Sequence, residues 1–175
     1  MEQKEMFSLL MRYLVIVLLG AFNLAAFYFI FTPLTVYPVF WIISIFDDNS
    51  GLLAGNLIFF KGDYAEIIPA CVAGAAYYLL TILNLSTPME NKKRIRDILF
   101  LFGSFLVLNI TRILIFLALF AYGFSYFDIT HILTWYFGST LMVVLIWFFS
   151  VWIFKIKEIP VYSDIRRIMR DVVKK

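Results

Sequence analysis

Cysteine and histidine each occur once in the 175 residues, as Cys71 and His131. A single cysteine excludes an intrachain disulfide and a Cys-x-x-Cys redox pair. One Cys and one His at that separation also fall short of a zinc site, which takes three or four protein ligands. No metal or cofactor is therefore expected. Charge is scarce too, at 15% of residues against roughly a quarter in an ordinary soluble domain. The chain shows no tandem repeat, no low-complexity tract and no separate soluble domain, and no nucleic-acid partner is expected.

What fills the chain instead is apolar: 63% of positions are hydrophobic. Runs of about 18 or more apolar residues mark candidate membrane spans, and four segments qualify, residues 7–31, 67–85, 98–122 and 132–154. The expected fold class is an all-α integral membrane protein of about four transmembrane helices. Residues 1–155 form one multi-span domain, and 156–175 a basic cytoplasmic tail. No small-residue cleavage pattern follows the first run, which is expected to stay as an anchor rather than leave as a signal peptide.

Charge placement gives the orientation. Of the fifteen Lys and Arg residues, all but Lys61 and Arg112 fall near the N-terminus, in the loop 86–96, or from Lys155 onward. By the positive-inside rule these regions are cytoplasmic. Both termini then lie inside a cell membrane, and the connections 32–66 and 123–130 face outward. The outer connections carry Asp47, Asp48, Asp63, Glu66 and Asp128.

The longer outer connection is the least regular part. Pro33 and Pro38 flank a short apolar stretch, and 39–46 is too brief to cross about 30 Å at 1.5 Å per residue. Residues 34–46 are expected to be interfacial or re-entrant. Leu57–Phe60 followed by Lys61-Gly62-Asp63 has the apolar run and Gly turn of a small hairpin. In this connection a plain linker and a substrate-contacting lid are equally compatible with the residues. In the tail, Ile165, Ile168, Met169, Val172 and Val173 recur at helical spacing opposite Arg166, Arg167, Arg170 and Lys174. That is a basic amphipathic helix suited to an anionic leaflet.

Arg112 stands in the middle of the otherwise uncharged run 98–122. A guanidinium at bilayer depth costs about 2.5–3.5 kcal/mol even on lenient insertion scales, so it implies a partner or a polar cavity. Pro69 suits the first turn of a helix, which puts Cys71 near the outer N-terminus of its span, where unpaired N–H groups favour a thiolate. His131 opens the last span from the same side, with Asp128 or Thr130 as its N-cap. Arg112 lies about 15 Å below the outer end of its helix, and its long side chain can snorkel upward. Taken singly, the cysteine reads as a packing residue, the histidine as an interfacial one, and the arginine as half of an ion pair. Together they converge on one outer-facing pocket.

The order Cys71, then Asn109-Ile110-Thr111-Arg112-Ile113, then His131 near the start of the next span resembles the exosortase/archaeosortase family of membrane-embedded cysteine sorting enzymes, and the compact chain is most similar to its small archaeosortases. The resemblance covers residues 65–154. It implies a cysteine peptidase or transpeptidase, with Cys71 as nucleophile and Arg112 and His131 completing the catalytic set. It further implies as partners exported proteins with a C-terminal motif, a transmembrane helix and a basic cluster, cleaved at the outer face, with a membrane lipid as a possible acceptor. The run Cys71-Val72-Ala73-Gly74 departs from the family, where a hydroxyl residue and then Gly commonly follow the cysteine.

The residue chemistry agrees with that implication. Peptide cleavage takes a nucleophile, a group that accepts and returns a proton, and a positive group where the oxyanion develops. Asn109, one turn before Arg112, is placed to orient the guanidinium or donate to the oxyanion, and Thr134 and Trp135 are placed to line the pocket. Thr111 reads as a back-bonded helix hydroxyl. Gly74, Gly103 and Gly138 read as close helix-packing positions. The alternative is a non-enzymatic membrane carrier or scaffold that binds an anionic headgroup through Arg112.

Overall fold

The first hydrophobic run does not form one helix. The computed structural model, which describes residues 3–173, has α1 over Gln3–Ala21 and α2 over Ala25–Phe46. Between them Asn23 and Leu24 adopt left-handed backbone, with φ of 50° and 59°. Arg12 of α1 donates to the Leu85 carbonyl, while Asp47, just past the end of α2, accepts from the Lys61 N–H. Together the two helices run the length of the bundle.

Residues 34–46 are thus not a separate segment but the second half of a 22-residue helix, one long and apolar enough to cross a membrane. The physical reason is a stripe at four-residue spacing, Phe27, Phe31, Thr35, Val39 and Ile43, that is buried along its whole length. Pro33 and Pro38 lie off that stripe. Each removes a backbone donor, a defect that apolar-solvated helices tolerate when packing fixes the surrounding turns.

The hairpin expected around Lys61-Gly62 is present and gains a third strand. Gly51–Leu53 (β1), Leu57–Phe60 (β2) and Asp63–Glu66 (β3) form an antiparallel sheet in the order β1-β2-β3. Lys61 and Gly62 both have positive φ, 51° and 92°, as a two-residue type I′ turn requires. Two contacts hold this turn in place. The Lys61 N–H donates to Asp47 Oδ2 at 2.8 Å, and Lys61 Nζ donates to the Tyr122 hydroxyl at 2.8 Å. Donation and positive charge from Lys61 hold the Tyr122 phenol below its usual pKa.

Next come α3 (Pro69–Val72), α4 (Gly74–Leu85), α5 (Asn91–Ala121) and α6 (Phe127–Leu133). A π-helical segment (Thr134–Gly138), α7 (Ser139–Ile153) and α8 (Tyr162–Val173) complete the chain. Ala25–Phe46, Asn91–Ala121 and Phe127–Ile153 are long and apolar enough to cross a membrane. The Pro69–Leu85 stretch is apolar but shorter, and it is broken at Ala73, whose φ is 58°. Gly74 permits the break to sit against α2, because a Cβ there would meet the Tyr28 ring at 2.8 Å. A Cβ on Gly103, by contrast, would touch nothing within 4 Å, so that glycine is not a packing contact.

The core lies where α4 meets α2, α5 and α7. Tyr77 stacks on Phe31 with centroids 3.5 Å apart and meets Phe105 edge-on at 4.9 Å. The outward faces stay apolar, with Phe29, Val107 and Phe148 all exposed, as lipid contact requires.

At the end of the bundle away from the sheet, α8 is tied to α1. Arg12 donates to both carboxylate oxygens of Asp164 at 3.0 Å and to the Leu85 carbonyl at 3.0 Å. Tyr13 adds a hydroxyl to the same carboxylate at 3.2 Å. The amphipathic tail helix is therefore formed, with Ile165, Ile168 and Met169 exposed. Lys174 and Lys175 lie outside the described residues.

Candidate active site

The helix break at Ala73 builds the site. Turning the chain there removes the Cys71 and Val72 carbonyls from the regular hydrogen-bond ladder, and orphaned carbonyls inside the bundle need other donors. Asn109 of α5 supplies them, with Nδ2 donating to Cys71 O at 2.9 Å and Val72 O at 3.4 Å. Arg112, one turn further on, donates through Nη2 to the same Cys71 carbonyl at 3.3 Å. The Asn-x-x-Arg pair on α5 thus clamps the backbone of the cysteine.

Arg112 has a second anchor that sequence reasoning missed. Its Nη1 donates to Ser139 Oγ at the start of α7. The residue is only 8% exposed, and among the described residues no carboxylate lies within ion-pair distance of it. A guanidinium carries five N–H donors, and these contacts engage one on each terminal nitrogen. The remainder have no hydrogen-bond partner among the described residues.

His131 does not open its helix. α6 begins at Phe127 after Tyr126, with no side-chain cap, so neither Asp128 nor Thr130 fills that role. The early start follows from packing: Phe127 meets Phe116 at 6.0 Å and Phe120 at 5.5 Å, on the last turns of α5. His131, in the last turn of α6, stacks on Phe127 at 5.5 Å and meets Phe116 edge-on at 5.1 Å. The two aromatic rings fix its plane, and among the described residues the imidazole makes no hydrogen bond.

Cys71, Arg112 and His131 line one cavity of about 250 Å³ and also the adjoining one of about 200 Å³. Cys71 is a half-buried free thiol. The expectation of a thiolate at a free helix N-terminus needs correction. α3 is a single turn, and the Cys71 N–H is already bonded to Ile68 O at 2.8 Å. Short helices have little dipole to offer, and the polar side chains that share both cavities with Cys71 are those of Arg112 and His131.

The supporting residues divide. Asn109 is fully buried and holds the Cys71 turn rather than touching the guanidinium, and its Oδ1 has no partner among the described residues. Trp135 lines the smaller cavity together with Cys71, Arg112 and His131. Thr134 lines neither cavity, and its methyl carbon lies 2.8 Å from where a Cβ on Gly138 would sit. Thr111 bonds back to Val107 O at 2.9 Å, as a helix hydroxyl does. The larger cavity also takes in Tyr64, Ala65 and Glu66 of β3, which the sequence did not single out. Among the described residues there is no cluster of His, Cys, Asp or Glu that could hold a metal ion.

Comparison of the chain with family models, with curated proteins and with solved structures finds no match.

Proposed function

We propose that the chain is a membrane cysteine peptidase or transpeptidase of the exosortase/archaeosortase kind, acting on exported proteins at the outer face of a cell membrane. The observation that carries this reading is that Cys71, Arg112 and His131, which lie far apart in sequence, line the same cavity at the sheet end of the bundle. The sheet end faces outward and both termini face the cytoplasm in this reading, on the strength of the loop charges.

In the reaction, His131 accepts the thiol proton and the Cys71 sulfur attacks the substrate carbonyl carbon. The negative charge that develops on the carbonyl oxygen meets the unengaged N–H groups of Arg112. Collapse breaks the C–N bond, His131 returns its proton to the leaving amine, and a thioester remains on Cys71. Water, an amine or a lipid headgroup hydroxyl then attacks the thioester and gives its proton to His131; the C–S bond breaks, and His131 hands that proton to the departing Cys71 sulfur, which restores the thiol and the neutral imidazole. Asn109 and Ser139 act at one remove, by holding the Cys71 backbone and the Arg112 fork.

A test is the intact mass of a co-expressed exported protein bearing a C-terminal motif, a transmembrane helix and a basic cluster. Shortening with the wild-type chain and full length with Cys71→Ala is the expected outcome; equal shortening with both defeats the reading. A second reading is favoured by one observation, the absence of a carboxylate beside Arg112 among the described residues: a carrier or scaffold that binds an anionic headgroup there. It needs Arg112 and is indifferent to Cys71, so the same pair of chains separates the two.

A further inference from the structure

We propose that the free edge of β3 is the substrate-binding strand: an extended segment of substrate peptide pairs with it as a fourth strand and is thereby led to Cys71. This rests on the peptidase reading and specifies how that site takes its substrate. β3 ends the sheet order β1-β2-β3, so one of its edges has no strand partner. In a two-residue hairpin the pair closing the turn, here Phe60 and Asp63, exchanges backbone hydrogen bonds, and pairing then alternates. Asp63 and Ala65 therefore spend their backbone groups on β2, and Tyr64 and Glu66 turn theirs to the open side. The bond from Ile67 N to Asn56 O at 2.9 Å continues the same alternation.

The cavity that holds Cys71 runs along that edge. A sheet face presents every second residue, yet three successive residues, Tyr64, Ala65 and Glu66, line the cavity. β3 is the one strand that reaches it among the described residues. Two N–H and two C=O groups two residues apart match the repeat of an extended peptide backbone. A lipid acyl chain or a compact headgroup offers no such repeat, so the edge selects a peptide. The pairing is placed rigidly as well, since Asp47 and Tyr122 hold the β2–β3 turn through Lys61.

The test uses the full-length chain in detergent and reads alkylation of its single cysteine by intact mass. The probe is a pooled N-acetyl tetrapeptide chloromethyl ketone library randomised at every position, with rates normalised to those of chloroacetone, which carries the warhead without a backbone. We expect the library to react at least tenfold faster than chloroacetone. N-methylation at alternate probe residues should remove that advantage in one parity and leave it in the other. Glu66→Pro, which deletes an outward N–H while sparing the β2–β3 ladder, should abolish the advantage and its parity dependence together. An advantage that is absent, or insensitive to N-methylation and to Glu66→Pro, overturns the proposal. If the parity effect is found while Cys71→Ala still processes substrate, the peptidase reading fails and the strand edge stands. If processing depends on Cys71 and the parity effect is absent, the strand edge alone fails.

Discussion

Arginines at the two ends of the bundle are held in opposite ways. At the tail end, Arg12 forks onto the Asp164 carboxylate and the Leu85 carbonyl, and Arg94 donates to the carbonyls of Asn84, Leu85, Thr87 and Met89. Nearby, fully buried Asp97 accepts from Asn84 Nδ2 at 2.6 Å and from Ser150 Oγ. Each of these charges meets a complement from the chain itself, closing the ends of α4 and pinning α8. At the sheet end, Arg112 has one hydroxyl, one carbonyl and a cavity. Buried charge answered within the fold is architecture; buried charge left facing a cavity is available for chemistry.

The sharpest way to break that contrast is to exchange the roles in experiment. Arg12→Ala strips a carboxylate only 3% exposed of its cation, a change that costs about 3–5 kcal/mol when a buried pair is broken. The expected result is a large fall in melting temperature in detergent, with processing per folded molecule unchanged. Arg112→Lys should do the reverse. It keeps the charge and loses the planar fork, and losing one oxyanion donor slows reaction by about 10²–10³-fold. Single-turnover cleavage normalised to folded protein should fall by that factor, with a smaller loss of melting temperature than Arg12→Ala gives. If both substitutions act only on stability, the two ends do not differ in kind.

Asn109→Ala sharpens the contrast from the backbone side. It leaves the Val72 carbonyl without its donor and the Cys71 carbonyl with Arg112 alone, a loss of about 1–3 kcal/mol for an unsatisfied buried group. Melting temperature should drop accordingly, and Cys71 alkylation by chloroacetone should change as the turn relaxes. The smallest effect belongs to Lys61→Gln, which removes the cation that stabilises the Tyr122 phenolate. The Tyr122 titration should move up toward its ordinary value, read by ring-carbon NMR with Tyr122→Phe as assignment. A titration that stays put would show that Lys61 does not hold the sheet against α5.

The sequence reveals the parts of the site that depend on residue type and little of what depends on backbone breaks. Arg112 declares itself by charge in an apolar run, and Asn109 by its place one turn earlier. Pro33 and Pro38 mislead, because their helix-breaking tendency is overridden by the buried stripe from Phe27 to Ile43, which is visible only once it is packed. Ser139 is hidden for a related reason. Eight residues of α-helix advance about 800°, which puts Ser139 off the face of His131. The π-helical turn at Thr134–Gly138 winds less per residue and so shifts Ser139 from the direction an α-helix would give it, and there it accepts from Arg112. The left-handed residue at Ala73 carries no residue-type signal, yet it frees the carbonyls that Asn109 and Arg112 hold.

The central claim, that Cys71 reacts with substrate in a cavity shared with Arg112 and His131, is tested most directly by the mass of the enzyme during turnover. Full-length chain mixed with a processed substrate and quenched in acid should show an added mass equal to the acyl portion. The adduct should map to Cys71, be released by hydroxylamine as a thioester is, and be absent from Cys71→Ser. Processing at an undiminished rate by Cys71→Ala, with no adduct on the wild-type chain at any quench time, would contradict the account.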